Sequence, residues 1–243
     1  MKQSFLAILL LFSLSLIAQP KYQLLSSFLR KHVSSSGKVN YLGIQKDKAE
    51  LERILKSLST FSPDSRWKKS EELAYWINMY NGYTLLLICE HYPLKSIMEL
   101  DGGKTWDVQR VPAGRMKLSL NQIENEILRA KFKDPRIHFA LNCGAKSCPP
   151  LLNEAYFPKK IEQQLEKQTR LFIRSSKNVV SEKSVRVSKI FEWYGKDFIE
   201  TNRQGQPGAE KQGILSFLIK YSGVHIASEA NISFLEYDWS LNN

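Results

Sequence analysis

With 243 residues, 35 Lys and Arg against 24 Asp and Glu, and a formal charge of +11, the chain is long enough for a sizeable core and is strongly basic. Its basic residues are dispersed, with short pairs such as Lys68-Lys69 and Lys159-Lys160, which fits a solvated basic surface or one that meets an acidic envelope polymer or membrane. No nucleic-acid recognition motif accompanies them, so nucleic acid is not an expected partner.

Residues 1–18 open with Lys2, run through apolar Phe5 to Ile17 broken only by Ser13 and Ser15, and end at Ala18. That is a signal-peptide layout, and the run is too short for a stable span of about 20 residues. Cleavage after Ala18 predicts an exported, periplasmic or secreted protein without a stable membrane span. No Pro/Gly/Ser-rich linker divides the remainder, so residues 19–243 are read as one domain.

Lys21 to Val33 places Tyr22, Leu24, Leu25, Phe28, Leu29 and Val33 near one face of a 3.6-residue repeat, which predicts an amphipathic helix ending at Ser34-Ser35-Ser36-Gly37. A short extended piece, Val39 to Leu42, leads to a second helix from Lys46 to Leu58. The third, Glu71 to His91, carries no charge from Leu73 to Cys89, the mark of a helix buried all round. Asn78 and Asn81, three apart on one face, stand out against that background. A buried amide without a partner costs about 1–3 kcal/mol. The pair therefore either braces a loop's backbone or lines a polar site in the core.

Pro93 ends this helix. Trp106 to Val111 reads as a strand, and a turn at Pro112-Ala113-Gly114 pairs it with Met116 to Leu118. Ser119 and Gln122 have capping-box spacing and start a helix whose apolar face is Ile123, Ile127 and Leu128. Glu124 falls beside that face. It either pairs with Arg129 or Lys131 at the surface or is a buried acid facing His138.

The densest chemistry lies in Asp134 to Pro150, which holds Arg136, His138, Cys143 and Cys148. Ile137 to Leu141 is expected to be a buried strand running into a tight loop. Pro149 and Pro150 suggest that Cys148 starts a short helix through Ala155, whose positive N-terminal end, with Lys146 nearby, would lower the thiol's pKa. Beyond it, Pro158 opens a helix from Lys159 to Ile173, and Val179-Val180 with Val185 to Val187 forms a hairpin. Ser188 to Phe198 reads as a short aromatic-rich helix, Asn202 to Gly208 as a polar loop, Ile214 to Tyr221 as a helix and Ile232 to Tyr237 as a closing strand.

Three cysteines in an exported chain allow one disulfide and one leftover thiol, and Cys89 sits in an apolar helical run as a buried hydrophobe. Three readings of the remaining group stay open. Cys148 is a nucleophile with His138 as base and Glu124, Asn78 or Asn81 orienting the ring or polarising a carbonyl. Alternatively Cys143 and Cys148 form a disulfide, structural or redox-active, beside a satisfied His138. Metal binding lacks a fourth ligand and the Cys-x-x-Cys spacing of zinc sites, so no metal is assigned. No P-loop, dinucleotide fingerprint or Gly-x-Ser-x-Gly elbow calls for a cofactor.

Assembled, the chain resembles the family known as domain of unknown function 547. The resemblance rests on Ala74 to Asn81, Leu118 to Glu124 with Leu128-Arg129, Asp134 to Leu141 with Cys143 to Pro149, Phe191 to Tyr194 with Asp197-Phe198, and Tyr237 to Trp239. It implies that Asn78, Asn81, Glu124, Arg129, Arg136, His138, Cys143 and Cys148 belong to one polar signature. Some members look like fusions to thiol-redox domains, which favours cysteines that react.

The expected fold is α+β, helix-rich, with a small, mostly antiparallel sheet from the Trp106, Ile137, Val179, Val185 and Ile232 segments. The expected function is a thiol-dependent hydrolase or transferase acting on an envelope or extracellular substrate, with Cys148, His138 and Glu124 catalytic and Asn78, Asn81, Arg129, Arg136 and Cys143 binding. The alternative is a non-catalytic binding or scaffolding module with a Cys143–Cys148 disulfide.

Overall fold

The computed structural model describes residues 20–243, so the signal-peptide reading of residues 1–18 lies outside the described residues. The first apolar stripe folds as α1 (Gln23–His32), which buries Leu25, Phe28 and Leu29 and ends in Arg30, Lys31 and His32, where cations meet the negative end of the helix dipole. Of the piece expected to be extended, Val39 makes an antiparallel bridge with Val33, while Tyr41 and Leu42 are helical. The Asn40 side chain accepts the Gly43 N–H at 2.9 Å and caps α2 (Tyr41–Lys46). After α3 (Lys48–Ser59) comes α4 (Lys69–His91), the axis of the molecule. Its 23 residues are buried without a gap from Glu72 to Leu85, as a helix without charges on any face requires.

Two cores meet around the later segments. The first surrounds α4 with side chains such as Leu51, Leu55 and Ile123. The second gathers Phe139, Phe172, Phe191, Phe198, Leu215 and Leu218. It lies where α6 (Ile161–Ile173) and α7 (Ala209–Ser222) pack together.

The architecture is the expected helix-rich α+β arrangement, with two small sheets. β1 (Val111–Ala113) and β2 (Met116–Leu118) form an antiparallel hairpin. β3 (Val179–Val180) pairs antiparallel with β4 (Ser184–Ser188), and β4 pairs in parallel with β5 (Asn231–Leu235), Val185 facing Ile232. Two of the three ladders are thus antiparallel.

Two expected strands are not strands. Residues 105–107 form a 3₁₀ turn that carries Trp106, and only Val111 of that segment reaches a ladder. Pro135–Phe139 is also a 3₁₀ turn. Its start is fixed by Pro135 and by the Asp134 carboxylate, which accepts the Arg136 N–H at 3.0 Å, so the local caps override the β-like apolar pattern. Apart from Val111, neither segment joins a sheet. The turn instead sends Ile137 into the first core and Phe139 into the second, which fixes His138 between them.

The last residues close the molecule. Asn242 N–H donates to Gly144 O at 3.0 Å, Lys146 N–H to Ser240 O at 2.7 Å, and Leu241 bridges Ala145. No helix of the described residues is long and apolar enough to cross a membrane.

Candidate functional site

Ser119 starts the segment that carries Glu124, and both halves of the capping box are present. Gln122 N–H donates to Ser119 Oγ at 3.0 Å, and Ser119 N–H donates to Gln122 Oε1 at 3.1 Å. The helix that follows is a π-helix, Gln122–Arg129, which runs into α5 (Ala130–Phe132). Such widened turns re-aim side chains and are frequent at functional sites.

Glu124 is buried, and the expected ion pairs are not made. Lys131 pairs with Glu72 at 2.6 Å and Arg129 with Asp197 at 2.6 Å. Glu124 instead accepts the Tyr80 hydroxyl at 3.0 Å, and its charge also acts on the Tyr194 hydroxyl. Burial, followed by the Glu124 charge, raises both phenols well above their ordinary pKa, so they stay donors.

His138 lies almost wholly inside, its ring stacked on Tyr194 at 4.1 Å between centroids. Its Nε2 lies 2.8 Å from Asp197 Oδ2. Arg129 donates to the same carboxylate through Nε and through Nη2 at 3.0 Å, and its guanidinium covers the Tyr194 ring at 4.7 Å. Burial pushes the Asp197 carboxyl up, but the bonds and charges of His138 and Arg129 outweigh it and hold it well below the usual carboxylate range. An ionised Asp197 accepts Nε2–H, which leaves Nδ1 as the ring nitrogen available to exchange a proton.

The cysteine loop is organised by Asn142, a residue the sequence reading passed over. Its Oδ1 accepts Gly144 N–H at 3.0 Å and its Nδ2 donates to Pro149 O at 2.8 Å. Gly144 turns with φ +85°, a conformation that favours glycine. Cys143 and Cys148 are joined as a disulfide, and Cys143 N–H points at Cys148 Sγ from 2.8 Å. Cys143 is half-buried and Cys148 buried. Cys89 is free and buried.

No helix begins at Cys148. Residues 149–157 are irregular because side chains take up their backbone groups: Gln168 Nε2 bonds Pro150 O at 2.7 Å and Gln164 Nε2 bonds Ala155 O at 2.9 Å. A helix dipole therefore does not act on that sulfur. The Lys177 ammonium is bonded to the Cys148 carbonyl, and burial pushes its pKa down to about 8.

These groups converge on an open cavity of about 340 Å³. Of the residues singled out from sequence, Glu124, His138, Cys143 and Cys148 line it. The other four do not. Asn78 exchanges two hydrogen bonds with the Tyr156 backbone, both 2.8 Å. Asn81 bonds Ala140 O and Asn142 N–H, both at 2.9 Å. The two amides thus brace the loops that flank the cavity. Arg129 acts through Asp197, and Arg136 pairs with Asp134 and Glu162.

The sequence reading also missed the opposite wall. Trp193, Tyr237 and Trp239 pack ring against ring at 4.6–5.8 Å, and Trp106 meets Trp239 at 5.9 Å. Asp107, held by Asn121 at 2.8 Å, stands at the rim. Among the described residues no three His, Cys, Asp or Glu side chains gather as a metal site.

Residues 65–173 match the model of a family described as Protein of unknown function, DUF547. That span carries the π-helix, the His138 turn, the cysteine loop and Trp106, while Asp197 and the wall residues Trp193, Tyr237 and Trp239 lie after it. No curated protein and no solved structure matches the chain.

Proposed function

We propose that this chain, whose residues 65–173 match the DUF547 family model, is an exported thiol–disulfide oxidoreductase whose Cys143–Cys148 pair exchanges with thiols of an envelope or extracellular substrate. The observation that carries this reading is the disulfide lining the same cavity as a His138 oriented by Asp197. A hydrolase with Cys148 as its resting nucleophile needs a free thiolate, and the two sulfurs are joined. Exchange is the form of thiol chemistry that this arrangement favours. The signal-like residues 1–18 and a bonded cysteine pair both fit an oxidising compartment.

In the oxidised protein a substrate thiol gives its proton to His138 Nδ1, and the thiolate attacks Cys143 Sγ, the more accessible sulfur. The Cys143–Cys148 bond breaks and its electron pair goes to Cys148 Sγ, already faced by the Cys143 N–H. A second substrate thiol attacks the mixed disulfide and releases Cys143. One substrate disulfide forms, and the protein disulfide becomes two thiols, with electrons and protons balanced. Joining so short a loop adds only about 2 kcal/mol by chain entropy, so the fold survives the reduced state.

The test is the reaction of the mature oxidised protein with millimolar dithiothreitol, quenched by alkylation and weighed intact. Rapid reduction of Cys143–Cys148 without unfolding, slowed at least tenfold in His138→Gln, is expected. A pair reduced only after denaturation leaves a structural disulfide and overturns the proposal.

A further inference from the structure

The chain holds 35 Lys and Arg, yet the cavity is lined by none of them. Its charged lining is Asp107 and Glu124, neither of which has an ion-pair partner among the described residues. The Arg129 guanidinium is bonded to Asp197. Lys177, behind the disulfide, is half-neutralised by burial near pH 8. Lining the same cavity as the two carboxylates is the continuous wall of Trp106, Trp193, Tyr237 and Trp239.

Aromatic faces attract cations through their quadrupoles, most strongly where water is displaced. The buried Glu124 carboxylate is held here by the Tyr80 hydroxyl, while Arg129, on which its charge acts, is bonded to Asp197. Anions are repelled by both walls. A neutral ligand satisfies the rings but leaves the negative charge unmatched.

We propose that this cavity binds an organic cation, an alkylammonium or guanidinium group, between the aromatic wall and the Glu124–Asp107 pair. The inference deepens the exchange reading and rests on it for what carries the cation, a thiol. Binding of the cation itself does not need the sulfurs. The carrier is either a small aminothiol or a peptide cysteine beside Lys or Arg, since the charged group is the same in both.

Two readouts separate the claims. In the first, the oxidised protein reacts with cysteamine, mercaptoethanol and mercaptoacetate at equal thiolate concentration. Reduction is expected about tenfold faster with the cation than with the anion, with the neutral thiol between, a factor that ordinary cation–ring and ion-pair contacts supply. Asp107→Asn and Glu124→Gln, checked for folding by circular dichroism, should each shrink that ratio. A cysteine peptide flanked by lysines, run beside cysteamine, distinguishes the two carriers.

In the second, tetramethylammonium is titrated into the Cys143→Ser/Cys148→Ser protein while tryptophan emission is followed, three of the five tryptophans being in the wall. Saturable change supports the cation site even if exchange fails. Equal rates for the three thiols together with no tetramethylammonium response overturn the inference and leave exchange standing. A response to a neutral disaccharide in place of the cation also overturns it.

Discussion

Asp197 is the residue on which the geometry around His138 turns, and Asp197→Asn is the perturbation that tests it. The carboxylate accepts from Arg129 Nε at 2.6 Å, Arg129 Nη2 at 3.0 Å and His138 Nε2 at 2.8 Å, with the side chain only 26% exposed. An asparagine keeps the size but removes the charge and turns one acceptor into a donor facing donors. Hydrogen bonds to charged groups are worth roughly 1.5–3 kcal/mol each. With partial exposure and one acceptor retained, a loss of about 2–3 kcal/mol is expected. Urea unfolding followed by fluorescence and circular dichroism should show the midpoint falling by about 1 M at an unchanged slope.

The same carboxyl sets the pH dependence of that difference. Its folded pKa is depressed below the unfolded value, so its stabilisation is fully present above the ordinary carboxylate pKa of about 4 and fades as pH falls toward the folded pKa. The gap between wild type and Asp197→Asn should be constant from pH 7 to about 5 and shrink by roughly 1 kcal/mol between pH 4 and 3. A gap under about 0.5 kcal/mol at pH 7, or one that does not narrow in acid, refutes the assigned partners. In the dithiothreitol assay the variant should also be slower than wild type, because the amide no longer fixes Nδ1 as the nitrogen available to exchange a proton.

Asn81→Ala leaves Ala140 O and Asn142 N–H without the partners they have at 2.9 Å, and a buried unpaired group costs about 1–3 kcal/mol. A total loss of about 2–4 kcal/mol in urea unfolding is expected, and a loss near zero would show that the amide is not a brace. Lys177 has its folded pKa lowered to about 8, so between pH 8 and the unfolded value the unfolded chain binds more protons and stability gains with rising pH from this group. Lys177→Met should remove that gain, measured as the difference in unfolding free energy between pH 7 and 9.5. Identical pH profiles for the two proteins would argue against the burial of the ammonium.

Where a segment's fate depended on its own residues, the sequence reading held. The charge-free run of α4, the Ser119–Gln122 capping box and the valine hairpin of β3 and β4 all follow from local pattern. It failed where distant side chains supplied the backbone's partners. Residues 149–157 stay irregular because Asn142, Gln168, Gln164 and Asn78 bond their carbonyl and N–H groups, and those partners lie up to 78 positions away. The same reason hid Asp197. Nothing local marks it as the partner of His138, which is 59 residues earlier. The aromatic wall was legible only as rings in a packing helix and a closing strand, since the approach of Trp239 to Trp193 depends on how the chain's last residues return.

That return also bears on whether the site keeps its shape when the sulfurs separate. The cysteine loop is tied to the final segment by Asn242 N–H to Gly144 O at 3.0 Å, by Lys146 N–H to Ser240 O at 2.7 Å, and by Asp238 N–H to Ser147 Oγ at 2.8 Å. From within, Asn142 bonds the residues on either side of the disulfide. Tyr237 and Trp239 ride on that segment, so the wall is positioned by these hydrogen bonds rather than by the S–S bond. Breaking the disulfide therefore removes one of several ties. The sulfurs are free to change oxidation state while His138, Glu124 and the facing rings hold their places, and a bond that adds little to the fold is one a substrate thiol can open without unfolding it.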